Sequence, residues 1–96
     1  MNRLVLSAQL MERGAVRYTP AGLPALDLVL KHESEVTQDG LPRKVSMEIK
    51  ARAIGGITQR LLKLDIGSTL GFAGFLGSQR NGRGIVFHVT ELSVQI

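Results

Sequence analysis

The chain has 96 residues and a mass of 10.4 kDa, which is enough for one small domain over residues 1–96 and leaves no room for a second core. It has no cysteine and two histidines, so disulfides, thiol nucleophiles and cysteine-ligated metal sites are excluded, and a metal centre is hard to build from histidine alone. The net charge is +4, and residues 49–96 carry this excess, with six basic against two acidic side chains. Such a charge favours an anionic partner.

No sequence motif of an enzyme is complete. The glycine spacing of Gly77 to Gly82 imitates a phosphate-binding P-loop, but Arg83 and Gly84 follow where Lys and Ser or Thr are required. Apolar runs are only a few residues long, and no basic start leads into an apolar segment. We therefore expect a non-enzymatic, cytoplasmic protein that contacts no membrane and holds no metal or cofactor.

The first half of the chain contains two segments with apolar residues at every second position, a period typical of β-strands. One face of the first predicted strand carries Leu4, Leu6, Ala8 and Leu10, and one face of the second carries Leu26, Leu28 and Leu30. Pro20 and Gly22 favour a turn within the connection between these strands.

A long hairpin loop is predicted over residues 33–43, because apolar residues almost vanish there and Asp39-Gly40 is a strong turn signal. The third predicted strand follows this loop. Its two alternating faces carry Val45, Met47, Ile49, Ala51 and Ala53 on one side and Ser46, Glu48, Lys50 and Arg52 on the other.

Helical spacing of Ile57, Leu61 and Leu64 predicts a helix over residues 57–66, with Gly67 as its stop. The fourth predicted strand covers residues 70–76, and its glycines suit sharp curvature or close backbone approach. A flexible basic loop, residues 77–84, precedes a fifth strand over residues 85–92. We expect Phe87 and Val89 to face the core.

This element order predicts an all-β fold, a five-stranded Greek-key barrel of the oligonucleotide/oligosaccharide-binding (OB) type, with one short helix between strands 3 and 4. The alternative is a small SH3-like barrel. In an OB barrel the ligand site lies on the outer face of the middle strands and the loops beside it.

Basic side chains from four segments converge on that face in the predicted fold. They are Arg13 and Arg17 in the first loop, Arg43 and Lys44 at the base of the second, Lys50 and Arg52 on strand 3, and Arg80 and Arg83 in the basic loop. Tyr18 and Phe75 are the aromatic residues placed to stack on bases, although Phe75 fits a subunit interface equally well. The alternative interpretation is that these charges only keep a leucine-rich domain in solution.

Three segments resemble the bacterial single-stranded DNA-binding protein family: Asn2 to Ser7, Tyr18 to Pro24, and Leu28 to Ser34. The resemblance implies an OB-fold homodimer that binds single-stranded DNA, helps to restart replication, and bridges a restart helicase and other primosome proteins. It also places DNA contacts at Ser46, Glu48 and Lys50 and at Arg80 and Arg83.

Two departures from the family pattern predict weaker DNA binding. Ser46 stands where members of the family can carry an aromatic residue, and the basic loop has two arginines in place of several lysines. The chain ends at Ile96 without the acidic tail of general single-strand-binding proteins, which favours the accessory, replication-restart branch of the family. The alternative hypothesis is a protein interaction module that docks a helicase and binds nucleic acid only marginally.

Overall fold

Six strands and one helix make up the computed structural model, which describes residues 1–80 and 82–93; residue 81, in the predicted basic loop, and residues 94–96 lie outside the described part. In chain order the elements are β1 (Leu4–Arg13), β2 (Arg17–Tyr18), β3 (Pro24–Gln38), β4 (Leu41–Ile54), α1 (Ile57–Leu62), β5 (Thr69–Ser78) and β6 (Ile85–Ser93). The five predicted strands correspond to β1, β3, β4, β5 and β6, and the two-residue β2 is an addition to them.

The sheet closes into a barrel. Its strand order is β1-β5-β6-β4-β3-β2, and a further pairing of β1 with β3 joins the two ends of the five long strands. All pairings are antiparallel except the short parallel contact between β4 and β6. The predicted barrel with one helix between its third and fourth long strands is confirmed.

The core is built from the inner faces that the alternation predicted. Leu10, Leu26, Leu30, Phe72 and Phe87 are fully buried, and Val89 is nearly so. Burial of these large side chains is the main contribution to stability, at about 1.5–3 kcal/mol for each fully buried aliphatic or aromatic side chain. The barrel therefore fixes which side chains of β3 and β4 point outward.

The prediction of a long hairpin loop over residues 33–43 is wrong. β3 continues to Gln38, β4 begins at Leu41, and only Asp39 and Gly40 connect them, both with positive φ angles of 52° and 74°. The Asp-Gly turn signal was therefore correct, and the loop was inferred from the missing apolar residues. These residues are polar because the hairpin extends beyond the barrel as a two-stranded ribbon (residues 33–46), in which most side chains are exposed.

The helix is shorter than predicted, ending at Leu62 instead of residue 66. The amide nitrogens of Lys63 and Leu64 donate to the carbonyl oxygens of Arg60 and Leu61, three residues earlier, at 3.2 Å each, so the last turn tightens and the α-helix stops. Leu64 still packs against the core, which explains why the apolar spacing continued past the helix.

Close backbone approach, as predicted for the glycines of this strand, occurs at Gly74 in β5. A Cβ atom there would lie 1.7 Å from the carbonyl oxygen of His88 on β6, beside a bulge in the β5–β6 pairing between Ala73 and Gly74. Any side chain at this position would force the two strands apart.

Within residues 1–80 and 82–93, no helix is long and apolar enough to cross a membrane. The same residues contain no cluster of three or more histidine, cysteine or acidic side chains that could hold a metal ion.

Candidate nucleic-acid interface

A groove of about 770 Å³ crosses the outer faces of β3 and β4 and is bordered by the loop between β5 and β6. Its lining residues come from four segments: Glu12, Arg13 and Gly14; Asp27, Leu28 and Val29; Lys50, Ala51 and Arg52; and Gln79, Arg83, Gly84, Ile85 and Val86. Four of these side chains are basic and two are acidic. This is the face on which an OB barrel carries its ligand.

An acidic residue, Asp27, joins two of the predicted site residues. Its Oδ1 accepts a hydrogen bond from Nε of Arg52 at 2.9 Å, and its Oδ2 accepts one from Nη2 of Arg17 at 2.9 Å. Burial by itself raises the pKa of the Asp27 carboxyl group, but the hydrogen bonds and charges of the two arginines outweigh it and hold the pKa below its usual value. Asp27 is therefore ionised at neutral pH and cancels part of the arginine charge.

Lys50 lies on the outer face of β4, opposite Val29 of β3. Its side chain is exposed, and it forms no salt bridge with any described residue. Arg83 lines the other side of the groove between Gly82 and Gly84, whose φ angles are +76° and +79°. These left-handed glycines fold the loop back, so Arg83 lies on the same groove as Lys50.

Arg13 lines the groove but is held by the helix. Its Nη1 donates to the carbonyl oxygens of Leu61 at 3.0 Å and Leu64 at 2.6 Å. Carbonyl groups at the end of a helix lack partners within the helix, so Arg13 stabilises this end of α1. The residue brings charge to the groove while part of its guanidinium group is engaged elsewhere.

Four predicted site residues lie along β4 outside the groove: Arg43, Lys44, Ser46 and Glu48. All four are exposed. Lys44 is six residues from Lys50, or about 20 Å at the usual rise of a strand. The prediction that Arg43 and Lys44 converge with the other basic residues is therefore wrong for the groove itself, because the hairpin loop is an extended ribbon.

The predicted aromatic residues lie in different places. Tyr18 is on β2 and is 71% exposed. Phe75, on the outer face of β5, stacks on the imidazole of His88 with ring centroids 4.7 Å apart and an angle of 12° between the rings. Arg80 is exposed in the β5–β6 loop and does not line the groove.

Asp27 is the groove residue that sequence reasoning missed, and His88 is a further titratable group on the neighbouring strand β6. Burial, with a smaller contribution from the charge of Arg52, lowers the pKa of His88 below 6.5, and Arg52 is the β4 partner of His88 in the sheet. Alternation already placed Asp27 on the outer face of its strand. What was missing was the register that brings Asp27 opposite Arg52.

Comparison with known proteins agrees with this geometry. A model described as "Another single-strand binding protein family" matches residues 2–91, so the chain belongs to a single-strand binding protein family. Replication restart protein PriB of Bordetella pertussis is 49% identical over 80 residues, which are 83% of this chain and 75% of that protein. Within the family, the chain therefore belongs to the PriB group of replication restart proteins.

Solved structures show the same fold. PriB from Ralstonia solanacearum has a TM-score of 0.92 and 32% sequence identity, covering 100% of this chain and 99% of that one. The single-stranded DNA binding protein from Thermus aquaticus has a TM-score of 0.74 and 25% identity, covering 97% of this chain and 49% of that one. The OB-type barrel is thereby confirmed over the SH3-like alternative.

Proposed function

We propose that the chain binds single-stranded DNA in the groove, as an accessory protein of replication restart. The observation that carries the proposal is the convergence of Lys50, Arg52 and Arg83 on the outer β3–β4 face of an OB barrel. The names of the relatives, replication restart protein and single-stranded DNA binding protein, support the same function.

Binding of this kind depends mainly on phosphate charge. Lysine and arginine side chains that neutralise phosphates release counterions, and affinity then falls with salt at a slope of about −0.7 per contact on single strands. Base stacking contributes about 1–3 kcal/mol per base where aromatic residues are available, but the chain has only one Tyr and three Phe. Of these, Phe72 and Phe87 are buried in the core. We therefore expect weak, sequence-independent and strongly salt-dependent binding.

Fluorescence anisotropy with a labelled 30-mer of thymidines tests the site. The first variant replaces Lys50, Arg52, Arg80 and Arg83 with alanine. The matched control replaces the four basic residues outside the predicted site, Arg3, Lys31, Arg60 and Lys63, and so removes the same charge.

Each lost phosphate contact costs about fivefold in affinity at 0.1 M salt. If at least two of the four side chains contact phosphate, the site variant should bind at least about 20-fold more weakly, with a flatter salt dependence, while the control stays within a few-fold of the parent. Equal weakening of both variants would mean that only net charge matters, and parental affinity of the site variant would place the DNA elsewhere.

We further propose that the protein contacts a restart helicase and other primosome proteins. This part is supported by kinship with proteins named for replication restart. The test is the unwinding of a forked DNA by the cognate restart helicase, with and without the protein. Stimulation that survives in a variant unable to bind DNA would favour the alternative function, a helicase-docking module.

A homodimer is proposed from the exposed apolar residues of adjacent strands, Val5 on β1 and Phe75 on β5, which are 63% and 42% exposed. Large apolar side chains of this kind are often covered by a second subunit. Sedimentation should give about twice the 10.4 kDa chain mass, and Val5→Asp should shift the protein toward the monomer. A parent protein that sediments as a monomer at micromolar concentration would contradict the dimer.

A further inference from the structure

The carboxylate of Asp27 bridges the guanidinium groups of Arg17 and Arg52 at the proposed DNA groove. Asp27 makes contacts of 2.9 Å with both arginines and lies in the groove with Arg52. One carboxylate therefore occupies hydrogen-bond donors of two guanidinium groups, which are also the donors that bind phosphate oxygens in pairs. A phosphate that enters the groove must compete with Asp27 for them.

We propose that Asp27 limits the affinity for single-stranded DNA by acting as an internal competitor of the phosphate backbone. The inference rests on the proposed function. The three side chains together carry a charge of +1, whereas the two arginines alone would carry +2. Because Asp27 is held in the groove by the fold, it lowers the affinity for single-stranded DNA in addition to the effect of the small number of basic residues.

The geometry also suits a reversible competitor. The side chains of Arg17 and Asp27 are each about half exposed, and that of Arg52 is about one quarter exposed. Ion pairs between exposed groups are typically worth less than about 1 kcal/mol, so a phosphate can displace the carboxylate from Arg17, the more exposed of the two arginines. The opposite role, in which Asp27 holds the arginines ready for DNA, predicts that its removal weakens binding.

The test compares Asp27→Asn with two controls that make the same charge change. Glu91→Gln releases Arg3 from a salt bridge outside the groove, where the two charged groups lie 3.6 Å apart. Glu12→Gln removes an acid from within the groove that forms no salt bridge with any described residue. Asp27→Ser serves as a second variant at the site. The backbone hydrogen bond from Gly14 to the carbonyl oxygen of Asp27 is retained in both site variants.

Anisotropy with the thymidine 30-mer at 0.05 M and 0.2 M salt gives the readout. If one more phosphate contact forms, Asp27→Asn should bind about fivefold more tightly at 0.1 M, with a salt slope more negative by about 0.7. Its advantage over the parent should therefore grow about threefold across this fourfold fall in salt. The controls Glu91→Gln and Glu12→Gln should each gain less affinity than Asp27→Asn.

The possible failures are distinguishable. Unchanged or weaker binding by the Asp27 variants, with normal binding by the parent, would overturn this inference and leave the proposed function standing. Equal gains in all variants would reduce the effect to net charge and also overturn it. If neither parent nor variants bind the single strand, the proposed function fails, and the inference fails with it.

Discussion

The two halves of the β3–β4 hairpin share one antiparallel pairing but differ in the burial of their side chains. In the half within the barrel, Leu28 and Leu30 bury one face, so the other face is held rigidly and carries Asp27, Lys50 and Arg52 along the groove. In the ribbon beyond the barrel, nearly all side chains are exposed, and only Ser34 and Val45 among residues 33–46 are half-buried. The proposed DNA site therefore lies where the opposite face of each strand is anchored in the core.

The largest expected difference between the halves is in core packing. Leu30→Ala removes a fully buried side chain and should lower the free energy of unfolding by about 2–5 kcal/mol. Val36→Ala in the ribbon removes a side chain that is 46% exposed and should change it by about 0.5 kcal/mol or less. Urea unfolding of both variants checks this. Similar losses would show that the ribbon is packed in solution.

A smaller effect is expected at the turn that ends the ribbon. Gly40 has a φ angle of +74°, which costs a residue with a Cβ about 1–2 kcal/mol, so Gly40→Ala should destabilise the protein by about 1 kcal/mol. Gly56 is the control, because its φ angle is −62° and a Cβ there meets nothing within 4 Å. Thermal unfolding should show a loss at Gly40 and none at Gly56. Equal tolerance at both would contradict the two-residue turn.

Lysines on the two halves of β4 should differ in DNA binding. Lys50→Ala in the groove should weaken binding of the thymidine 30-mer about fivefold at 0.1 M salt, just under 1 kcal/mol, because one phosphate contact is lost. Lys44→Ala in the ribbon should have a smaller effect, and the anisotropy titration measures both. A larger loss at Lys44 would move the DNA path onto the ribbon.

The smallest predicted effect is a pH dependence of stability at His88, beside Arg52 in the barrel half. Since the pKa of His88 is lowered in the folded state, the unfolded chain binds this proton more readily. Stability is then fully present above about pH 6.5 and falls as pH drops below it. The corresponding loss at Asp27, whose pKa is also lowered, begins only near pH 3.8.

Melting temperatures at pH 7.5 and pH 5 test the histidine contribution. The parent should lose more stability than His88→Gln over this interval, and the difference belongs to His88. An equal loss in both would assign the pH dependence to other groups. The stacking of His88 on Phe75 makes near-ultraviolet circular dichroism a useful check that the variant keeps the local packing.

Sequence alone predicted the features that depend on local chemistry. Alternation identified the inner faces, Asp39-Gly40 identified the turn, and the strand glycines indicated the close approach at Gly74. Each of these features depends on residues that are neighbours in the chain, and the sequence can therefore predict it. The sequence also predicted that Lys50 and Arg83 lie on one groove, because the strand order of an OB barrel brings their segments together.

Features that depend on strand register or on residues far apart in the chain could not be predicted from the sequence. The bridge between Asp27 and Arg52 joins residues 25 positions apart in the chain, and the contact of Arg13 with Leu61 spans 48 positions. The ribbon was mistaken for a loop because exposed strand residues do not need to be apolar. In each case the missing information was which backbone segments lie side by side.

The most direct test of the central claim is a comparison of the thymidine 30-mer with a duplex of equal length at several salt concentrations. The account predicts tighter binding of the single strand, with a logarithmic salt slope of about −0.7 for each phosphate contacted. Several contacts therefore give a slope of about −2 or steeper. Equal weak binding of both nucleic acids, or none, would contradict the assignment of the groove to single-stranded DNA.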